Sequence, residues 1–138
     1  MKRLLALAVA LLAVITVTAA APASRTVHPQ RCPHGRPDFE RDPRGLLPLT
    51  ADSIGLAARA AFRFTRPADR PQVVSADLAT DDPGRGAEAK FECGARVWRR
   101  TVVVNIKLRA LLPSASLSER VVFVGRFKSG YRVWQVVH

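Results

Sequence analysis

The chain has 138 residues, with 22 Lys and Arg against 11 Asp and Glu, which gives a formal net charge of +11. This length suits one domain with a modest hydrophobic core. Most of the basic residues are Arg, and two interpretations of the charge stay open. It serves to bind a polyanion, or it reflects the codon usage of a genome rich in G and C.

The N-terminus predicts a secretory signal peptide over residues 1–23. Two positive charges precede an apolar run, residues 4–17, which is too short to cross a bilayer as a helix. Ala21-Pro22-Ala23 offers signal peptidase the small side chains that it requires, and a cut after Ala19 is an alternative. An uncleaved anchor is the competing interpretation. We expect a secreted or extracytoplasmic protein with no transmembrane segment after cleavage.

Cleavage removes two basic residues, so 20 Lys and Arg remain against 11 acidic residues and the net charge is near +9. Such a charge favours polyanionic partners. An exported protein rarely meets nucleic acid, so we expect no nucleic-acid partner. We expect instead an anionic cell-envelope polymer or a protein partner.

Cys32 and Cys93 are the only cysteines. An even count in an exported chain predicts a disulfide between them. The bridge would join residues 24–48, an irregular Pro-rich arm, to the domain at 49–138. His28, His34 and Asp38 lie near Cys32 in the arm, but their spacing fits no zinc pattern. We predict neither a metal site nor a cofactor.

A helix is predicted from Thr50, a suitable N-cap, to Arg66, because the residue before Pro67 resists the α conformation. Apolar residues from Ile54 to Thr65 recur at helical spacing and indicate one buried face.

The opposite face of this helix carries Arg59, Arg63 and Arg66. These arginines are a candidate anion-binding stripe, and the alternative is the ordinary solvated side of a helix. Together with Trp134 they are the candidate binding residues. No nucleophile with an adjacent base, no glycine-rich phosphate loop and no calcium loop is evident, so we name no catalytic residue.

Strand patterns follow the helix at 72–80, 89–97, 101–109, 121–127 and 131–137. In the second of them, Ala89, Phe91, Cys93, Ala95 and Val97 alternate with polar residues or glycine. The order predicts the α+β class, with one main helix packed on a four- to five-stranded antiparallel sheet.

The last two strands can pair in two registers. A three-residue turn pairs Phe127 with Tyr131. A two-residue Ser129-Gly130 turn, which we favour, sets Gly125 opposite Trp134, so that the indole covers the glycine. The side of the sheet that Trp134 occupies stays open.

One helix can cover only one face of the sheet. Val103, Val122, Val124 and either Val133 or Trp134 are predicted to project from the other face. That face needs its own cover, for which the candidates are the Pro-rich arm, a partner subunit in a homodimer, or a bound ligand.

The order of helix, long strands and terminal hairpin resembles the cystatin-like and NTF2-like superfold. The ending, residues 127–137, is similar to the last hairpin of many secreted bacterial NTF2-like domains. Those domains usually carry about three helices before the sheet, so the single predicted helix favours the cystatin-like arrangement. Cystatins use a Gln-x-Val-x-Gly wedge to block cysteine proteases, and Gln72-Val73-Val74-Ser75-Ala76 departs from it at Ala76.

Three functions are therefore weighed. The first, which we favour, is a non-enzymatic binding module for an envelope polymer, a small ligand or a protein partner. The second is a small secreted enzyme with a sheet-lined pocket and a buried Asp or His beside it. The third is a cystatin-like protease inhibitor. The resemblance decides among none of them, because these folds host all three.

Overall fold

The structure, a computed structural model, describes Cys32, residues 40–114 and residues 117–138. The predicted signal peptide, residues 1–23, and most of the predicted arm lie outside the described residues. No helix in the described part of the chain is both long and apolar enough to cross a membrane.

Two helices and four strands form an antiparallel α+β fold, and the predicted fold class is confirmed. In chain order the elements are α1 (Ser53–Phe64), β1 (Pro71–Leu78), α2 (Arg85–Trp98), β2 (Thr101–Leu108), β3 (Glu119–Phe127) and β4 (Gly130–Val137). The strands lie in the order β1-β2-β3-β4, and each pairs antiparallel with its neighbour. β1 and β4 are therefore the edges of this sheet.

Helix α1 begins at Ser53 and not at a Thr50 N-cap as predicted. The Ser53 hydroxyl accepts a hydrogen bond from the Thr50 backbone N–H at 2.7 Å, while the Thr50 hydroxyl donates to Asp52. The helix ends at Phe64, and Thr65 and Arg66 have extended backbones before Pro67. Arg66 thus lies beyond the helix, because proline imposes the extended conformation on the residue before it.

The first face of the sheet packs against α1. Ala57 and Ala61 of the helix are completely buried there. The sheet residues of this core are Val102, Val104, Ile106, Leu108, Val122, Val124 and Val133. The prediction that Val122 and Val124 project from the opposite face is wrong, because the register pairs them with Val104 and Val102 and so puts all four on one side.

Residues 89–97, predicted as a strand, belong to helix α2. Ala89, Cys93 and Val97 recur every four residues and face the sheet, as they would on one side of a helix. Phe91, which the strand pattern predicted to be buried, is 59 % exposed. Ala, Glu and Lys have high helix propensity, and this preference overrides the alternating pattern.

The second face of the sheet carries a core of its own, built on Val103, Val121, Phe123 and Trp134. Helix α2 covers this face, and Leu46 of the predicted arm packs beside it. The predicted apolar second face includes Val103, and of the two alternatives Val133 and Trp134 it is Trp134 that lies on it. Its main cover is a helix of the same chain, which the sequence did not indicate.

The hairpin of β3 and β4 adopts neither predicted register. Phe127 pairs with Gly130 and Gly125 with Arg132, so the turn is Lys128-Ser129. Trp134 is an extra, bulged residue between the Val124–Val133 and Phe123–Gln135 pairs. A bulge lets neighbouring residues share one face, and both Trp134 and Gln135 accordingly lie toward α2, where Gln135 donates to Glu92 at 2.9 Å.

The described end of the predicted arm packs onto the sheet. Leu46 is 2 % exposed and occupies the space over Gly125, which the Trp134 indole was predicted to fill. The Leu47 backbone N–H donates to the Arg126 carbonyl at 2.7 Å. Cys32 and Cys93 form the predicted disulfide, which attaches the arm to α2 beside Gly94, where a φ of 82° kinks the helix.

Candidate functional site

A groove of about 610 Å³ lies between α1 and the edge strand β4. Its volume falls in the range of small-molecule pockets. One wall is the side of α1, and the other is the start of β4 with two residues of the arm. The lining residues are Glu40, Arg41, Leu56, Ala60, Arg63, Phe64, Gly130, Tyr131, Arg132 and Val133.

The groove combines an apolar interior with a cationic rim. Leu56 and Ala60 from α1 are half-buried, and Val133 from β4 is buried. Arg41, Arg63 and Arg132 are all exposed, whereas Glu40 is the only acidic residue among the described residues that line the groove. The groove therefore has a formal charge of +2, and it can accommodate an apolar body while its arginines bind an anionic group.

Hydrogen bonds fix the two walls to each other. The Tyr131 hydroxyl of β4 lies in hydrogen-bond contact with the Ser53 hydroxyl and, at 3.0 Å, with that of Thr50. The Glu40 backbone N–H donates to the Trp134 carbonyl at 2.9 Å. These contacts join β4 to the start of α1 and to the arm, so the groove is built into the fold.

The predicted arginine stripe is only partly preserved. Arg63 lines the groove. With Arg59 it also lines a shallow hollow of about 350 Å³ on the outer side of the helix, to which Phe62 and Val73 contribute. Arg66, beyond the helix, bonds through Nε to the buried Asp69 carboxylate at 3.2 Å. The structure brings none of the three arginines together with Trp134.

Trp134, the fourth predicted binding residue, is fully buried. Its ring lies 5.3 Å from the Phe123 ring in the core under α2. Because no part of the side chain reaches solvent, Trp134 has a packing role in this structure.

A second hollow, of about 410 Å³, lies at the end of the sheet near the start of α2. Arg85, Arg120 and His138 line it together with Glu119. Asn105 donates to Ser75 at 2.8 Å on the same surface. Its lining is mixed in charge and less apolar than that of the groove.

Two acidic residues have surroundings that bear on the enzyme hypothesis. Asp69 is buried but bonded to Arg66. Burial raises the pKa of Glu88 on α2, and repulsion from Glu92 adds to the shift. Neither residue lines the groove. Within the described ranges, no group of three or more His, Cys, Asp or Glu is placed to hold a metal ion.

The residues of the cystatin-like wedge pattern, Gln72 to Ala76, lie in strand β1. β1 is an edge strand, and Val74 is an extra residue there between Val73 and Ser75. A wedge of the cystatin kind stands at a protruding turn, whereas here the same residues form part of a paired strand.

Most of the groove residues were not predicted from the sequence. Arg41 belongs to the arm, which has no periodic pattern, and Tyr131 and Arg132 belong to the hairpin whose register was wrong. One signal was available in Leu56 and Ala60, which stand four residues apart on the flank of α1. Their partner, strand β4, is remote in sequence, so the pairing required the fold.

No known family model, no curated protein and no solved structure matches this chain. The geometry of the described residues therefore carries the functional argument.

Proposed function

We propose that this chain is an exported, non-catalytic binding module whose ligand has an apolar body and an anionic group. The observation that carries the proposal is the groove between α1 and β4, where Arg41, Arg63 and Arg132 surround an apolar interior. Guanidinium groups bind carboxylates and phosphates through paired hydrogen bonds, and the apolar residues favour a hydrocarbon or aromatic body.

Export is part of this proposal. The Cys32–Cys93 disulfide supports it, because such bonds persist in oxidising compartments. The predicted signal peptide would deliver the chain to such a compartment. We also keep the resemblance to the cystatin-like and NTF2-like superfold as a proposal. The antiparallel sheet with α1 packed across it supports the resemblance, while α2 on the second face departs from the slim one-helix arrangement.

The test is to titrate the protein with octanoate and with octanol, which share an apolar body and differ in charge. Amide chemical shifts report the site. We expect octanoate to perturb Leu56, Ala60 and Tyr131, and octanol to bind at least about tenfold more weakly, since a hydrogen bond to a charged group contributes about 1.5–3 kcal/mol.

Two variants locate the site. Ala60→Phe fills the groove and should abolish octanoate binding, and Arg132→Gln should weaken it about tenfold. Arg99→Gln, on an exposed residue beside α2, is the matched control and should leave binding unchanged. Octanoate binding that survives Ala60→Phe, or that perturbs no groove residue, would show the proposal to be wrong.

A further inference from the structure

The outer surface of the second half of α1 is both aromatic and cationic. Phe62 is 49 % exposed and Phe64 is 41 % exposed. Successive residues of a helix are about 100° apart, so the two rings lie on opposite sides of the helix. Phe62 lies on the outer side with Arg59 and Arg63, whereas Phe64 lines the groove. Arg59 precedes Arg63 by one turn, and Arg66 follows just beyond the helix. We call these four residues, Arg59, Phe62, Arg63 and Arg66, the α1 ridge.

The α1 ridge carries little opposing charge. Helix α1 contains two arginines and no acidic residue. Asp69, bonded to Arg66, is the one carboxylate that makes an ion pair with the ridge in the described part of the chain. Arg59 and Arg63 are thus available to an external anion.

We infer that the α1 ridge docks on the surface of an anionic phospholipid bilayer. Helices that lie at a membrane interface combine Phe or Leu, which enters the acyl boundary, with Arg or Lys, which binds the headgroups. Long arginine side chains reach from an apolar level to the phosphates. The ridge places both kinds of side chain on one exposed surface.

A bilayer fits the ridge better than a soluble polyanion does. A polymer would contact the arginines and leave the Phe62 ring in water. A bilayer binds the arginines and also buries the ring, which adds an apolar contribution that salt does not screen. Helix α2 lacks this combination: it exposes Phe91, but Glu88 and Glu92 oppose its basic residues.

The docking surface is distinct from the groove, although Arg63 borders both. Arg59 and Phe62 belong to the ridge alone, whereas Ala60 and Arg132 belong to the groove alone. Substitutions at these four positions therefore separate the two proposals. Docking does not require the groove ligand, and the groove ligand does not require a membrane.

The experiment is cosedimentation of the exported protein, recovered after processing, with vesicles of phosphatidylglycerol and phosphatidylcholine in equal parts. Pure phosphatidylcholine vesicles are the uncharged comparison. We expect partitioning into the anionic vesicles only, with a large decrease at high salt and a residual part that persists. Equal binding to both kinds of vesicle would contradict the inference.

Matched variants on the two helices assign the surface. Arg59→Gln should weaken binding about fivefold at low salt, the contribution expected of one arginine near an anionic surface. Phe62→Ser should remove most of the binding that persists at high salt. Arg96→Gln and Phe91→Ser, the equivalent exposed positions on α2, should change neither.

The results for these variants distinguish an anionic bilayer from a soluble polyanion as the partner of the ridge. If Arg59→Gln weakens binding and Phe62→Ser does not, the ridge contacts a polyanion and the bilayer inference fails. If the α2 variants weaken binding as much as the α1 variants, the inference also fails. Two further measurements keep a failure here distinct from a failure of the groove proposal. Arg59→Gln and Phe62→Ser should still bind octanoate, and Ala60→Phe should still bind the vesicles.

A second measurement reports insertion directly. In Phe62→Trp, bromine-labelled lipids should quench the added indole emission, measured relative to the wild type with its own two tryptophans. Phe91→Trp on the opposite side of the domain should show no additional quenching. Equal quenching at the two positions would overturn the assigned orientation.

Discussion

Leu46 lies directly over Gly125: a β-carbon on that glycine would come within 2.1 Å of Leu46 Cδ2. The close approach lets the end of the arm pack into the second face of the sheet. Gly125→Ala should therefore force Leu46 outward and destabilise the protein by about 1–3 kcal/mol, as measured by urea unfolding.

A double-mutant cycle isolates this contact. In a Leu46→Ala background the space over Gly125 is free, so Gly125→Ala should cost at least about 0.5 kcal/mol less than in the wild type. Gly55→Ala is the control, because nothing lies within 4 Å of its added carbon. Because Gly55 lies in α1, replacing it by alanine should stabilise the protein by about 0.5–1 kcal/mol. Equal costs of Gly125→Ala in both backgrounds would contradict the packing.

The Cys32–Cys93 disulfide joins residues 61 positions apart. Its removal frees the unfolded chain, and the loop-entropy relation gives a cost of about 4 kcal/mol. The double substitution Cys32→Ser with Cys93→Ser should lower the free energy of unfolding by about 2–5 kcal/mol. Reductant should lower the stability of the wild type to that of the variant and leave the variant itself unchanged.

Glu88 should make stability depend on pH. Burial raises its pKa above the ordinary value of 4.5, and Glu92 adds to the shift. The folded state thus holds the proton more tightly than the unfolded state, so stability falls as the pH rises from 4.5 through the folded pKa. Urea midpoints from about pH 4 to about pH 7 should show this fall in the wild type and less of it in Glu88→Gln.

Glu92→Gln provides the second arm of that test. The variant removes the repulsion that is the second cause of the shift, so its pH dependence should be smaller than that of the wild type but larger than that of Glu88→Gln. If all three proteins follow the same profile, Glu88 is not the titrating group.

Trp98 anchors the end of α2 to the end of β1. Its indole N–H donates to the Ala79 carbonyl at 2.8 Å, and the Lys90 ammonium lies 4.6 Å from the centre of its rings. Trp98→Phe keeps an aromatic ring but loses the hydrogen bond, and should cost about 1 kcal/mol. Lys90→Gln should cost less, about 0.5 kcal/mol. Thermal unfolding measures both, and a reversed order would contradict the assignment.

The sequence predicted the parts of the fold whose patterns admit one interpretation. Helix α1, the strands β1 to β4 and the disulfide all follow from periodicity or from cysteine count. Residues 85–98 were ambiguous because Ala89, Cys93 and Val97 fit a strand alternation as well as a helical spacing. The helix propensity of Ala, Glu and Lys favours the helix, and so does the second apolar sheet face that needs a cover, which is a tertiary effect.

The site was less accessible to prediction than the fold. Arg63 was identified, but its partners in the groove come from the arm and from β4. The position of β4 depends on the bulge at Trp134, which shifts the pairing by one residue between Val124 and Phe123. A pattern of alternating residues contains no signal for such an insertion, so the burial of Trp134 could not be inferred.

Both edges of the sheet carry a bulge, at Val74 in β1 and at Trp134 in β4. At the second of them, the Trp134 carbonyl already accepts the Glu40 N–H. An exposed strand edge recruits further strands only where its hydrogen-bonding groups form a regular row. Neither edge offers such a row along its whole length, so the domain is poorly suited to nucleate fibrils. That property would matter for a protein concentrated on a lipid surface.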